Sequence, residues 1–167
     1  RRSITPVLPV VTCTMQATLT TGASPGLHGI VANGLYFPEL GRVSFWEQSN
    51  RLLDVPRFWR KPGGPRPRTA MLFWQNSMFG AADIVLTPRP IHTPDGQTIS
   101  SCHSDPPGLY DELARKLGPF DLKTYWGPFA GLPASQWIAQ AAVSVWRESQ
   151  PDLQFVYLPH LDYSLQK

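Results

Sequence analysis

The stretch around Thr12 has the clearest chemical potential in the chain. Residues 7–12 are rich in β-branched side chains and predict a short strand, and residues 16–21 predict a helix that ends near Gly22. Such a junction holds a hydroxyl at a helix N-terminus, where unpaired N–H groups and the helix dipole favour an anion. The Thr12 hydroxyl is therefore a candidate nucleophile that a metal or a base would ionise.

A candidate cation ligand follows the last apolar run of the chain. Residues 153–158 predict a strand, and Asp162 comes after it with His160 in between. Ligands of parallel α/β sheets bind beyond the carboxyl ends of the strands, so we expect Thr12 and Asp162 at the same edge. A carboxylate there can hold a cation that lowers the pKa of the threonine hydroxyl. If both lie on a strand, His160 shares a face with Asp162 and is either a further ligand or a structural hydrogen-bonding residue.

Alternating helical and apolar segments must position these groups. Continuous apolar runs predict two more strands, at residues 69–74 and 84–86. Helical spacing predicts helices over residues 44–53, 105–117 and 135–148, the last with Trp146 on its apolar face. Residues 87–107 are expected to be an extended, Pro-rich excursion. This order predicts an α/β fold with a largely parallel sheet, and we expect a single domain over residues 1–167.

A set of short motifs occurs in a fixed order along nearly the whole chain. Thr-Gly and His-Gly-Ile follow the candidate nucleophile, and further matching segments lie at residues 30–36, 45–50, 86–90 and 157–163. This set resembles the alkaline phosphatase superfamily, in particular its nucleotide pyrophosphatase/type I phosphodiesterase branch, of which the chain matches the N-terminal half. The resemblance implies a three-layer α/β/α sandwich with a largely parallel sheet, incomplete in this chain.

The resemblance also implies a reaction and its cofactors. It assigns Thr12 as the nucleophile that cleaves a phosphodiester or pyrophosphate bond through a phospho-Thr intermediate, with two divalent metals, most often zinc. Thr12 and Asp162 match metal ligands of the family, whereas the expected histidine four residues after Asp162 is Gln166, a poor zinc ligand that His160 can compensate. The family's remaining ligands are expected outside these 167 residues, so the chain alone is expected to be inactive.

Substrate-binding amides are expected near the nucleophile. The resemblance places a phosphate-binding Asn three residues after it, where this chain has Met15. The neighbouring Gln16 can donate from its amide, or it is a helix-surface residue. Asn33 lies in a loop that the resemblance places beside the substrate pocket, so a phosphorylated small molecule is the expected partner. Cys13 is interpreted as a small buried residue.

Two other functions remain open. One is a phosphomonoesterase or phosphonate hydrolase that uses the same nucleophile. The other is a catalytically silent homologue that binds a phosphorylated metabolite or a partner protein, and the departures at Met15 and Gln166 favour it.

Composition excludes some partners. The net charge is only +3 and no Lys/Arg stripe accompanies it, so no nucleic-acid-binding surface is expected. No apolar run is long enough to span a bilayer, and the absence of a visible signal peptide slightly favours the cytoplasm without assigning a location. The densest basic cluster lies in and beside a Pro/Gly loop near residues 60–68, which is expected to be flexible and solvated, with anion binding as the alternative. Its members are Arg57, Arg60, Lys61, Arg66 and Arg68.

Overall fold

The structure, a computed structural model, describes residue 3 and residues 5–60 and 62–165, with the backbone alone for residues 163–165. Its residue contacts divide the chain into two units. Unit 1 consists of Arg1–Pro67 and Gln75–Ala81, and unit 2 consists of Arg68–Trp74 and Ala82–Lys167.

Unit 1 begins with the helix that carries the candidate nucleophile. Helix α1 (Thr12–Thr21) ends at Gly22, which adopts the left-handed conformation expected of a glycine cap (φ 68°). The short helix α2 (Pro25–His28) follows. The predicted helix end is therefore confirmed, but the helix starts at Thr12 rather than at Gln16.

The prediction of a strand over residues 7–12 is wrong. Pro6 and Pro9 have no N–H group to donate to a ladder, and residues 7–11 form no strand. Val11 is extended (φ −127°, ψ 156°) and Thr12 already belongs to α1. Thr12 therefore lies at a helix N-terminus, but it does not end a strand.

An antiparallel hairpin of strands β1 (Gly34–Phe37) and β2 (Arg42–Phe45) follows in unit 1. It overturns the predicted helix over residues 44–53, because the first of these residues pair with β1 and Trp46 has a φ of 60° that a right-handed helix does not allow. Only a 3₁₀ turn, Asn50–Leu52, occurs in that range.

A small apolar core and a buried arginine hold unit 1 together. Cys13, Ala17 and Ile30 are buried beside partly buried leucines. Arg57, only 2% exposed, donates to Asn50 Oδ1 (3.0 Å), to Thr20 Oγ1 and to the Asn76 carbonyl (2.6 Å). These hydrogen bonds join α1 to the segments around residues 50 and 76.

Unit 2 contains the central sheet. Its elements begin with β3 (Thr69–Leu72) and β4 (Ile84–Pro88), continue with a separate two-stranded ribbon of β5 (Ile91–His92) and β6 (Thr98–Ile99), and reach the sheet again in β7 (Cys102–Asp105) and β8 (Leu153–Val156). The strand order is β7-β4-β3-β8. β3 is parallel to β4 and β8, whereas β7 is antiparallel to β4. The mostly parallel α/β sheet is confirmed, but residues 87–107 contribute three strands where we expected an extended excursion.

Three helices complete unit 2: α3 (Leu109–Leu117), α4 (Leu132–Ser149) and α5 (His160–Leu165). Ile138 and Val145 of α4 are buried in the core, as the helical spacing predicted, together with Phe73, which directly follows β3. Trp146 was placed on the same apolar face but is 53% exposed, so that assignment is wrong. In the described part of the chain, no helix combines the length and apolarity needed to span a membrane.

Candidate functional site

The N-terminus of α1 presents Thr12 as its first residue, half-buried. The N-cap is Val11, whose side chain cannot accept a hydrogen bond from the first turn. The partial positive charge of the helix end is therefore not met by a capping oxygen of the N-cap residue. A hydroxyl at this point lies where an anionic oxygen is favoured.

Asn33 lies against the first turn of α1. Its Oδ1 accepts a hydrogen bond from the Cys13 N–H at 3.0 Å, although the two residues are 20 positions apart. This bond uses the carboxamide oxygen and leaves the Nδ2 donors, which have no acceptor among the described residues. An N–H₂ group beside a helix N-terminus can donate to a phosphoryl oxygen.

The residues beside Thr12 have distinct environments. Burial raises the pKa of the Cys13 thiol to about 12, so it stays protonated at neutral pH and does not compete as a nucleophile. Thr14 is fully buried, and its Oγ1 has no hydrogen-bond partner among the described residues. No sequence signal points to Thr14, because a lone threonine in a helix carries no motif.

Gln16, predicted to bind substrate, is buried and has a structural contact. Its Oε1 accepts a hydrogen bond from the Gln75 N–H at 2.7 Å. Gln75 in turn accepts from Gln48 Nε2 through its own Oε1. The side-chain oxygen of Gln16 is thus already hydrogen-bonded within unit 1. That the amide nitrogen of Gln16 binds substrate stays a prediction.

His28 stabilises the loop that follows α1. Its Nδ1 accepts from the Ile30 N–H at 3.1 Å, so Nε2 carries the proton and donates to Thr18 Oγ1 at 2.9 Å. Burial lowers the pKa of His28, while the Asp54 carboxylate acts in the opposite direction. These contacts use both ring nitrogens and make His28 a structural residue.

Asp162 lies beyond the carboxyl end of β8, as the third residue of α5. It is exposed, and its Oδ2 accepts a hydrogen bond from the Tyr157 hydroxyl at 3.2 Å. Arg89 follows the parallel strand β4 and therefore lies at the same edge of the sheet. The edge of unit 2 where α/β sheets bind ligands thus carries an exposed carboxylate.

We predicted that His160 and Asp162 share a face if both lie on a strand. Both residues belong to α5, so they do not share a face in this way. Residues two apart on a helix point in different directions. The Nδ1 of His160 lies 3.0 Å from Ser135 Oγ, and its backbone N–H donates to the same oxygen. This contact fits the alternative role, a structural hydrogen-bonding histidine.

The described part of the chain does not supply a full set of metal ligands. The described residues contain no group of three His, Cys, Asp or Glu side chains that could hold a metal ion. Gln166 lies outside the described residues. Thr12 belongs to unit 1 and Asp162 to unit 2, and their convergence around one cation stays a prediction. The described residues on their own therefore do not fit a complete metal centre.

The chain was compared with known proteins. The model of a family described as type I phosphodiesterase / nucleotide pyrophosphatase matches residues 1–167. Two structures of phosphonoacetate hydrolase from Sinorhizobium meliloti 1021, with phosphonoformate and with phosphonoacetate, are similar at 19% and 18% identity and TM-scores of 0.54 and 0.55. Each match covers 90% of this chain but 35% of the hydrolase, so the chain spans about a third of that length. This likeness confirms the alkaline-phosphatase-like fold, of which the chain covers only part. No curated protein matches the chain significantly.

Proposed function

Because this chain belongs to the type I phosphodiesterase / nucleotide pyrophosphatase family, we propose that the protein is a metal-dependent hydrolase of phosphodiester or pyrophosphate bonds. Its substrate is a phosphorylated small molecule, and Thr12 is its nucleophile. The chain spans about a third of its structural neighbours, so the proposal concerns the activity of the complete protein.

The observation that carries the proposal is the hydrogen bond between Asn33 Oδ1 and the Cys13 N–H. It places a carboxamide beside the helix end at which Thr12 stands. A phosphoryl oxygen there would accept from Asn33 Nδ2 and lie in the favourable field of the helix N-terminus. A hydroxyl, an amide donor and a helix end together form a reasonable site for phosphoryl transfer.

The reaction proceeds in two displacements. Thr12 Oγ forms a bond to phosphorus and its proton passes to solvent. The bond between phosphorus and the leaving oxygen breaks, and that oxygen keeps the electron pair and takes up a proton from solvent. The phospho-Thr that results keeps the second ester group of a diester substrate. Water then attacks phosphorus and releases Thr12 with its proton restored.

A divalent cation is expected from the family's metal dependence. When bound, such an ion neutralises phosphoryl charge and lowers the pKa of a coordinated hydroxyl. Two zinc ions with Thr12, Asp162, Gln166 and His160 among their ligands remain a prediction. The described residues supply no group of three His, Cys, Asp or Glu ligands for such an ion.

Thr12→Ala, with Thr12→Ser as the conservative control, tests the proposal on bis(4-nitrophenyl) phosphate. We expect the alanine variant to lose about 10³-fold or more in kcat and the serine variant to keep measurable turnover. Phosphonoacetate and a phosphomonoester, assayed in parallel, distinguish the alternative hydrolases. A wild-type protein that binds phosphorylated metabolites but turns over none of these substrates would identify a catalytically silent homologue instead.

A further inference from the structure

One stretch of the chain carries positive charge without any acidic residue. Residues 55–82 contain no Asp or Glu, and Asp54 and Asp83 flank them. Within this stretch lie five basic residues, Arg57, Arg60, Lys61, Arg66 and Arg68. Arg57 is already used by three acceptors within unit 1. The proposed catalytic chemistry uses none of the others.

Part of this stretch lines an open surface cavity within unit 1. The cavity has a volume of about 260 Å³ and is lined by Trp59, Arg60, Gly64 and Arg66. Two of these described lining residues are arginines, and none of the four carries a carboxylate. An anion bound between two arginines is attracted by both positive charges.

The aromatic wall of the cavity is fixed in place. Trp59 is 3% exposed, and its indole Nε1–H donates to the Ala81 carbonyl at 3.0 Å. The guanidinium of Arg57 lies 5.8 Å from the centre of the same ring. The loop that carries Arg66 contains Pro62, Pro65 and Pro67, whose rings restrict φ. A preformed wall and a restricted loop lower the entropic cost of binding.

We propose that this cavity binds a small phosphate-bearing anion between Arg60 and Arg66, against Trp59. The planar guanidinium fork matches the oxygens of a phosphate group, and two forks match two adjacent anionic groups. The volume is below the usual range for drug-sized ligands and fits inorganic phosphate or pyrophosphate. This cavity shares no lining residue with the proposed catalytic site, which contains Thr12, Gln16 and Asn33.

Pyrophosphate titration by isothermal calorimetry at low ionic strength tests this site. Arg66 is exposed, so Arg66→Gln should not disturb folding, which the urea midpoint verifies. We expect Arg66→Gln and Arg60→Gln each to weaken binding at least tenfold. Arg51→Gln is the matched control, because it removes the same charge from an exposed arginine of unit 1 that does not line the cavity.

Three results would overturn the site. The first is a wild-type protein that does not bind pyrophosphate. The second is an equal loss of affinity in Arg51→Gln, which would indicate a diffuse field instead of a site. The third is unchanged binding in the Arg60 and Arg66 variants with binding lost in Asn33→Ala, which would place the anion at α1.

Discussion

Asn33 and Cys13 are joined by a side-chain to backbone hydrogen bond of 3.0 Å across 20 residues of chain. The bond fixes the loop that leads into the β1–β2 hairpin against the first turn of α1. The Trp46 N–H, which follows β2, donates to the Asn33 carbonyl at 2.9 Å and holds the other side of the same residue. These two hydrogen bonds hold the backbone and the carboxamide oxygen of Asn33 in place. They therefore also set the direction in which its amide nitrogen points.

Substitutions of Asn33 should separate its two roles. Asn33→Asp keeps an acceptor for the Cys13 N–H but replaces the amide donor with a negative charge, so stability should change little while activity falls. Asn33→Ala loses both groups and should also lower the free energy of unfolding by about 1 kcal/mol. Urea denaturation and diesterase kinetics measure the two effects. Full activity in Asn33→Asp would show that the amide does not contact substrate.

Gln16→Glu tests the predicted substrate amide. The variant keeps an oxygen that can accept from the Gln75 N–H, so unit 1 should remain folded. If the amide nitrogen of Gln16 contacts a phosphoryl oxygen, its replacement by an anionic oxygen should raise KM at least tenfold. Gln97→Glu, at an exposed position of unit 2, controls for the added charge. A KM equal to that of the wild type would assign Gln16 to structure alone.

His28 should make unit 1 less stable in acid. Burial lowers its pKa in the folded state, so the neutral form is favoured by folding. The stability that this provides is present above the unfolded pKa of about 6.5 and is lost as the pH falls through the lower folded pKa. Protonation would also abolish the acceptor that Nδ1 offers to the Ile30 N–H.

The free energy of unfolding should therefore decrease below pH 6.5, by at most about 1.4 kcal/mol per pH unit for this one group. His28→Gln should flatten the profile, whereas His92→Gln, at an exposed residue, should leave its slope unchanged. His103, whose pKa is also lowered by burial, contributes to the slope in both variants. An identical slope in wild type and His28→Gln would contradict the assignment.

Arg57 should be among the most sensitive positions for the stability of unit 1. Burial lowers its pKa to about 10, which still leaves it protonated at neutral pH. Arg57→Ala would leave the buried acceptors on Thr20 and Asn76 and the partly buried acceptor on Asn50 without their donor, and we expect a loss of about 3 kcal/mol. The exposed Arg51→Ala should change stability by less than about 0.5 kcal/mol. Similar urea midpoints for the two variants would refute this role.

The central sheet could be predicted because its strands are continuously apolar. Thr69–Leu72 is buried along its whole length, and Leu153–Val156 pairs with it in parallel, as two such runs suggest. The β1–β2 hairpin could not, because its strands are short, none of their residues is buried, and the spacing around residue 45 resembles that of a helix. The positive φ of Trp46 is incompatible with a right-handed helix, and no pattern of side chains predicts a positive φ at a tryptophan.

The candidate site could be predicted only in part. Thr12 and Asp162 stay predictions that rest on their positions after apolar runs, and the strand predicted before Thr12 does not form because prolines interrupt it. The contact of Asn33 with α1 depends on how a distant loop folds back, which periodicity does not encode. His160 was misplaced because the sequence after β8 turns into α5 within four residues.

The most direct test of the account is to identify the residue that becomes covalently modified. The protein is mixed with bis(4-nitrophenyl) phosphate, quenched in acid during turnover and digested for mass spectrometry. We predict a nitrophenyl-phosphoryl adduct on the peptide that contains Thr12, located at that residue by fragmentation and absent from Thr12→Ala. Turnover that continues in Thr12→Ala, or an adduct on any other side chain, would contradict the central claim.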